Sequence, residues 1–130
     1  MDKIKVLIVD DIAETRENIN RLLQLEEDFQ VVGEAANGEQ AVNQAERLLP
    51  DIILMDVNMP VMDGITATEK ISLKLPGISV IMISVQGEAE YLKKAMVTGS
   101  KEYLVKPFSA DELVDSIKRT YDLKKFHREK

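Results

Sequence analysis

Asp10 and Asp11 close the apolar run VLIV, Asp56 closes IILM, Ser84 closes VIMI and Lys106 closes EYLV. Three carboxylates, a hydroxyl and an ammonium thus follow strand-like segments that lie far apart in the chain. If those segments are strands of one parallel sheet, their carboxyl ends share an edge and the five groups converge on it. Converged, they suit metal-assisted phosphoryl transfer. A carboxylate can attack phosphorus to give an acyl phosphate, but it is a weak nucleophile repelled by an anionic donor, so positive charge must be supplied. Asp56 is the candidate nucleophile. Asp10 and Asp11 beside it would raise one another's pKa, a cost that a bound divalent cation removes, and hard oxygen ligands with room for water and phosphate suit Mg2+ or Mn2+. Lys106 offers a second cation for the transferred oxygens, and Ser84 a hydroxyl donor. Taken singly, each group has an ordinary explanation: adjacent acids or a serine capping a helix, Lys-Pro making a turn. Four such groups at four strand ends, in an order that parallel topology gathers at one edge, are not explained that way.

The elements that must position them alternate from end to end, the pattern of an α/β domain with a mainly parallel sheet. The spacing predicts a strand over 4–9, then a helix over about 14–26 with Ile19, Leu22 and Leu23 inward. QVVGEAA at 30–36 reads as a second strand. Gly38 opens a helix in which Ala41, Val42, Ala45, Leu48 and Leu49 recur at helical spacing, and Pro50 closes it. A third strand over 51–55 gives way to Asn58, Met59, Pro60 and Asp63-Gly64, a run rich in turn formers, and to a helix reaching about Leu75. The fourth strand is predicted at 78–83, and a fourth helix carries Ala89, Leu92, Ala95 and Met96 on one face with Gly99 as its C-cap. Tyr103 to Val105 forms the fifth strand. The last helix starts from Ser109, with Glu112 three residues on as in a capping box. Right-handed crossovers would set helices on both faces of the sheet.

With 130 residues and 45% hydrophobic content, the chain fits one globular domain that needs no disulfide or metal to fold. It holds no cysteine, in keeping with a reducing compartment. Met1 leads almost directly into IKVLIV, and no apolar run approaches the ~20 residues that span a bilayer, so a cytoplasmic protein is expected. The net charge of -6 argues against broad attraction to nucleic acid or an anionic membrane. The tail is the exception: from Lys118 onward Lys118, Arg119, Lys124, Lys125, Arg128 and Lys130 outnumber Asp122 and Glu129, which reads as a solvated helix turn and a linker.

The segments LIVDD, IILMDVNMPVMDG, VIMIS and EYLVKPF resemble the motifs of the receiver domain of two-component response regulators, and the likeness runs from residue 4 to about 121. The resemblance implies a doubly wound, flavodoxin-like five-stranded parallel sheet of order 2-1-3-4-5 with five helices. It implies that Asp56 is the phosphoacceptor, that Asp11 and Asp56 ligate Mg2+ with the backbone carbonyl of Asn58, and that Asp10 acts mostly through a metal-bound water. Lys106 would pair with the phosphoryl group, and the Lys106-Pro107 bond would be cis. Ser84 would swing to the new phosphate and Tyr103 rotate into the space vacated, coupling the site to the face of the fourth helix, fifth strand and last helix. The departures are specific. Val85 stands where many receivers carry alanine or glycine and narrows access, Asn58 and Gln86 occupy the two positions that tune dephosphorylation, and Ser100-Lys101-Glu102-Tyr103 lacks the acidic pair found in winged-helix regulators.

The function implied is a signalling switch that catalyses only its own phosphorylation and dephosphorylation. Its partners would be a sensor histidine kinase or a phosphotransfer protein upstream and a protein or covalently linked output domain downstream, with a phosphorylation-dependent homodimer as a further form. Residues 1–122 would be the receiver and 123–130 a charged tail or the start of a linker. A haloacid-dehalogenase-type phosphohydrolase is the enzymatic alternative; it would place its nucleophile after the first strand with a second acid two residues on, whereas Asp56 is followed at that spacing by Asn58. A nucleotide-binding module lacks its glycine fingerprint here. A receiver-like interaction domain without chemistry would not need every polar position of the site filled.

Overall fold

The computed structural model describes residues 2–85, 93 and 96–129, with side chains as far as 123. Its elements are β1 (Ile4–Val9), α1 (Ala13–Gln24), β2 (Phe29–Ala35), α2 (Gly38–Leu48), β3 (Ile52–Asp56), α3 (Gly64–Lys74), β4 (Ser79–Val85), β5 (Glu102–Lys106) and α4 (Ala110–Glu129). The strands form one sheet in the order β2-β1-β3-β4-β5, and every pairing is parallel. This is the doubly wound architecture expected, with four helices among the described residues. Of the predicted fourth helix, Ala89, Leu92 and Ala95 lie outside those residues; Met96, which is described, is exposed.

Both faces of the sheet are covered, which is why its strands read as continuous apolar runs. Leu7, Val9, Ile53, Met55, Val80 and Met82 meet Ala41, Val42 and Ala45 of α2 and Ala67 and Ile71 of α3. On the other face Val6, Ile8, Ile52, Leu54, Ile81, Ile83 and Leu104 meet Ile19 and Leu23 of α1 and Leu113, Val114 and Ile117 of α4. The two-residue period of a strand sorts the side chains between these layers.

Most boundaries move by one or two residues, and two of the shifts matter. β4 continues to Val85, so Ser84 lies within the strand, and β5 runs from Glu102 to Lys106. Leu49 departs from the apolar stripe of α2. The proline that follows disfavours right-handed helix at residue 49. Leu49 therefore takes a left-handed C-cap conformation (φ 48°, ψ 58°) and is 59% exposed, while Leu48 packs inward. The capping box at the start of α4 is complete: the Glu112 N–H donates to Ser109 Oγ and the Ser109 N–H to Glu112 Oε1, each at 3.1 Å. The Lys106–Pro107 peptide is cis.

Candidate functional site

Register brings the polar groups together. Val9 pairs with Met55, so Asp10 and Asp56 leave their strands side by side; Asp56 pairs with Ile83, and Val85 with Lys106. Parity assigns Asp56 and Lys106 to the layer of Leu54 and Leu104, facing α1 and α4, and Ser84 to the layer of Met82, facing α2 and α3. Lys106 Nζ stands 3.2 Å from Asp10 Oδ2 and 3.7 Å from Asp56 Oδ1. One carboxylate oxygen from each of Asp10, Asp11 and Asp56 lies within 4.8 Å of the others. Three hard oxygen donors at that separation, with one ammonium against them, fit a divalent oxygen-loving cation such as Mg2+.

The acids differ in setting. Asp10 is 2% exposed and Asp11 is open to solvent. The Ile12 N–H donates to Asp10 Oδ1 at 2.9 Å, so Asp10 also does the structural work of turning the chain into α1. Asp56 sits between them, its side chain 14% exposed. Burial and the Asp10 charge, with a smaller part from Asp11, push its carboxyl up from the ordinary 3.8 to about 6, against the opposing pull of Lys106 and the Val57 N–H.

The loop after β3 is held at both ends. The Gly64 N–H donates to the Val57 carbonyl at 2.9 Å and the Gly38 N–H to the Met62 carbonyl at 2.8 Å. A Cβ on Gly64 would run into the Asp56 carbonyl, and one on Gly38 into the Met62 carbonyl, so both positions require glycine for the approach. Asp63 caps α3 by accepting from the Thr66 N–H at 2.7 Å. Between these anchors Val61 takes φ +68°, a left-handed conformation that a β-branched residue rarely adopts. Asn58 lies exposed in the same loop.

Ser84 is 1% exposed, and its Oγ has no hydrogen-bond partner among the described residues. Tyr103, opposite Met82 in the β4–β5 ladder and so in the same layer as Ser84, is 45% exposed. Its neighbour Glu102 points the other way and is tied to α4. Ser116 Oγ donates to it at 3.0 Å, Thr120 Oγ1 at 3.2 Å and Arg119 Nε at 3.2 Å, with a second bond from the Arg119 guanidinium. Val85, opposite Lys106 in the β4–β5 ladder, is half-exposed, whereas Gln86 lies outside the described residues.

Sequence reasoning missed this Glu102 network and also Arg16, whose guanidinium donates to the Asp10 carbonyl at 2.6 Å. The available signal for Arg16 was a cation one turn into the helix that follows the acid pair; Glu102 carried none, since its partners lie 14 to 18 residues away in the chain.

A parallel doubly wound sheet whose acids gather at the crevice between β1 and β3 belongs to the flavodoxin-like class, in which ligands bind at that switch point. Within that class the chain belongs to the response regulator receiver domain family, whose model matches residues 6–118. It is 41% identical over 119 residues to the response regulator protein VraR of Staphylococcus epidermidis, covering 92% of this chain and 57% of that one. It is 39% identical over 116 residues to the chemotaxis protein CheY of Listeria monocytogenes, covering 89% of this chain and 97% of that one. The first relatives matched are about twice as long as the matched segment. Among solved structures it resembles the CheX-CheY-BeF3-Mg2+ complex from Borrelia burgdorferi, with a TM-score of 0.86, 31% identity and coverage of 92% and 90%.

Proposed function

We propose that the chain is a phosphorylation-dependent signalling switch that takes a phosphoryl group onto Asp56. The observation that carries this reading is the setting of Asp56, a partly buried carboxylate flanked by two acids on one side and by Lys106 Nζ at 3.7 Å on the other. An Oδ of Asp56 attacks phosphorus; the bond to the donor nitrogen of a phosphohistidine breaks, and its electron pair stays with the imidazole, which takes up a proton. Lys106 balances charge on the transferred oxygens. Asp10, Asp11, Asp56 and the Asn58 carbonyl would hold Mg2+, with Mn2+ as a substitute, and the metal supplies the charge that lets an anionic nucleophile meet an anionic donor. The similar CheX-CheY complex from Borrelia burgdorferi was solved with BeF3 and Mg2+, which supports that choice of metal. Attack of water on the acyl phosphate returns the free carboxylate, so the reaction resets the protein and turns over no other substrate.

The donor would be a sensor histidine kinase or a phosphotransfer protein, and the recipient of the signal a protein or output domain that meets the face around Tyr103. Residues 1–122 would form the receiver, and 123–130 the beginning of a linker or a charged tail. Among the described residues no helix is long and apolar enough to cross a membrane. Incubation with acetyl phosphate and Mg2+ should give one hydroxylamine-labile phosphoryl adduct that is lost in Asp56→Asn. Equal labelling of the substituted protein would reject the assignment.

A further inference from the structure

We propose that Arg16 and Glu34 form a positioning clamp for the metal site, fixing the backbone turn that presents Asp10 and Asp11. The inference rests on the reading of the acid cluster as a Mg2+ site. Every polar group of Asp10 is engaged, by β2, by β5 and by the start of α1. Its N–H donates to the Ala35 carbonyl of β2 at 3.1 Å, Oδ1 accepts from Ile12, Oδ2 from Lys106 of β5, and its carbonyl accepts from a terminal guanidinium nitrogen of Arg16 at 2.6 Å. Arg16 Nε in turn donates to Glu34 Oε1 at 3.0 Å. Glu34 lies on β2 beside Ile8 of β1, so the clamp spans from the edge strand, across the end of β1, to the first turns of α1. The Arg16 side chain is largely covered.

The Asp10 carbonyl belongs to the planar peptide that also carries the Asp11 N–H. Fixing that oxygen fixes the plane from which Asp11 departs, and so the direction in which its exposed carboxylate is offered to a cation. A guanidinium presents its donors as a rigid fork and can hold Glu34 and the carbonyl together; a lysine ammonium keeps the charge but not the fork. Charge and position predict opposite signs. A cation beside a cation site repels the metal, so by charge alone the loss of Arg16 tightens Mg2+ binding. As a positioning residue, its loss weakens binding.

Mg2+ titration of the whole chain, followed by backbone amide NMR, separates these accounts. Arg16→Lys and Arg16→Gln should each raise the Mg2+ dissociation constant, by roughly threefold or more, short of the about ten- to hundredfold losses known for outer partners of tight metal sites. An unchanged constant in Arg16→Lys, or tighter binding in Arg16→Gln, would overturn the clamp. Should Arg16→Gln fail to fold, Arg16→Lys decides, since it retains the charge. Asp11→Asn is the control: weakened binding there with unaltered binding in Arg16→Lys removes only the clamp, whereas wild-type binding in Asp11→Asn removes the metal site and the clamp with it.

Discussion

Asp56 is held in a state the folded protein resists. Its carboxyl keeps a proton up to about pH 6 in the fold, against 3.8 ordinarily, so the folded chain binds more protons than the unfolded one across that interval. Stability of the metal-free protein is therefore lost as pH rises from about 4 to about 6, and the loss persists at neutral pH. Asp56→Asn should raise metal-free stability at pH 7 by about 1 to 3 kcal/mol and change it little at pH 4; urea unfolding at the two values checks the sign. Ser84 presents the converse case, a buried hydroxyl lacking a partner among the described residues that, in the proposed switch, would gain one from a phosphoryl group on Asp56. Ser84→Ala should still label at Asp56, yet a beryllofluoride adduct should shift its β5 amides less than it shifts those of the wild type. Full wild-type shifts in the substituted protein would separate Ser84 from the response.

At the scale of elements, two features carry the site. The first is the loop between β3 and α3, where Gly64 must approach the Asp56 carbonyl. Gly64→Ala would have to displace backbone, not a flexible side chain, and should cost about 2 kcal/mol or more and slow labelling of Asp56. A variant as stable and as reactive as the wild type would contradict that packing. The second is the bond set from α4 to Glu102. Burial raises the Glu102 carboxyl, but the bonds from Arg119, Ser116 and Thr120 and the Arg119 charge outweigh it and hold the group below its usual value. A depressed carboxylate stabilises above its unfolded pKa, and that contribution disappears as pH falls through the folded value. Glu102→Gln should then cost about 1 to 2 kcal/mol at pH 7, with the penalty fading well below the ordinary 4.5.

These elements also show what could be read before the structure. Asp10, Asp11, Asp56, Ser84 and Lys106 announce themselves because each interrupts an apolar run, and a parallel sheet converts that local signal into a shared edge. The Ser109–Glu112 capping box is legible because its partners are three residues apart. Glu34 and Glu102 were not legible, because a charged residue on an amphipathic element looks alike whether it meets solvent or a partner across the fold, and Arg16 offered only its place one turn into the helix after the acid pair. Leu49 was misread because hydrophobic spacing alone ignores the backbone restriction imposed by Pro50.

For the domain taken together, a net charge of -6 and a cluster of acids at one end should, on the proposed reading, make the fold respond to divalent cations. Mg2+ at ten times its dissociation constant should add about 1.4 kcal/mol, or roughly 5 °C in melting temperature for a domain of this size. Asp11→Asn should show a smaller rise at the same Mg2+ concentration in differential scanning calorimetry; an equal rise would put the cation elsewhere.

The anchoring of Glu102 to α4 has a consequence for time. With Glu102 pinned there, the exposed Tyr103 ring is the group among the described residues of β5 that the proposed switch would move most. Exposed side chains change rotamer within picoseconds to nanoseconds, far faster than a phosphorus–oxygen bond is made or hydrolysed. A surface built this way keeps no memory of its own. On the proposed reading it would report the present state of Asp56 and nothing earlier, so the duration of any output would belong to a single covalent bond, and substitution of Tyr103 should alter how strongly the message is read without altering how long it lasts.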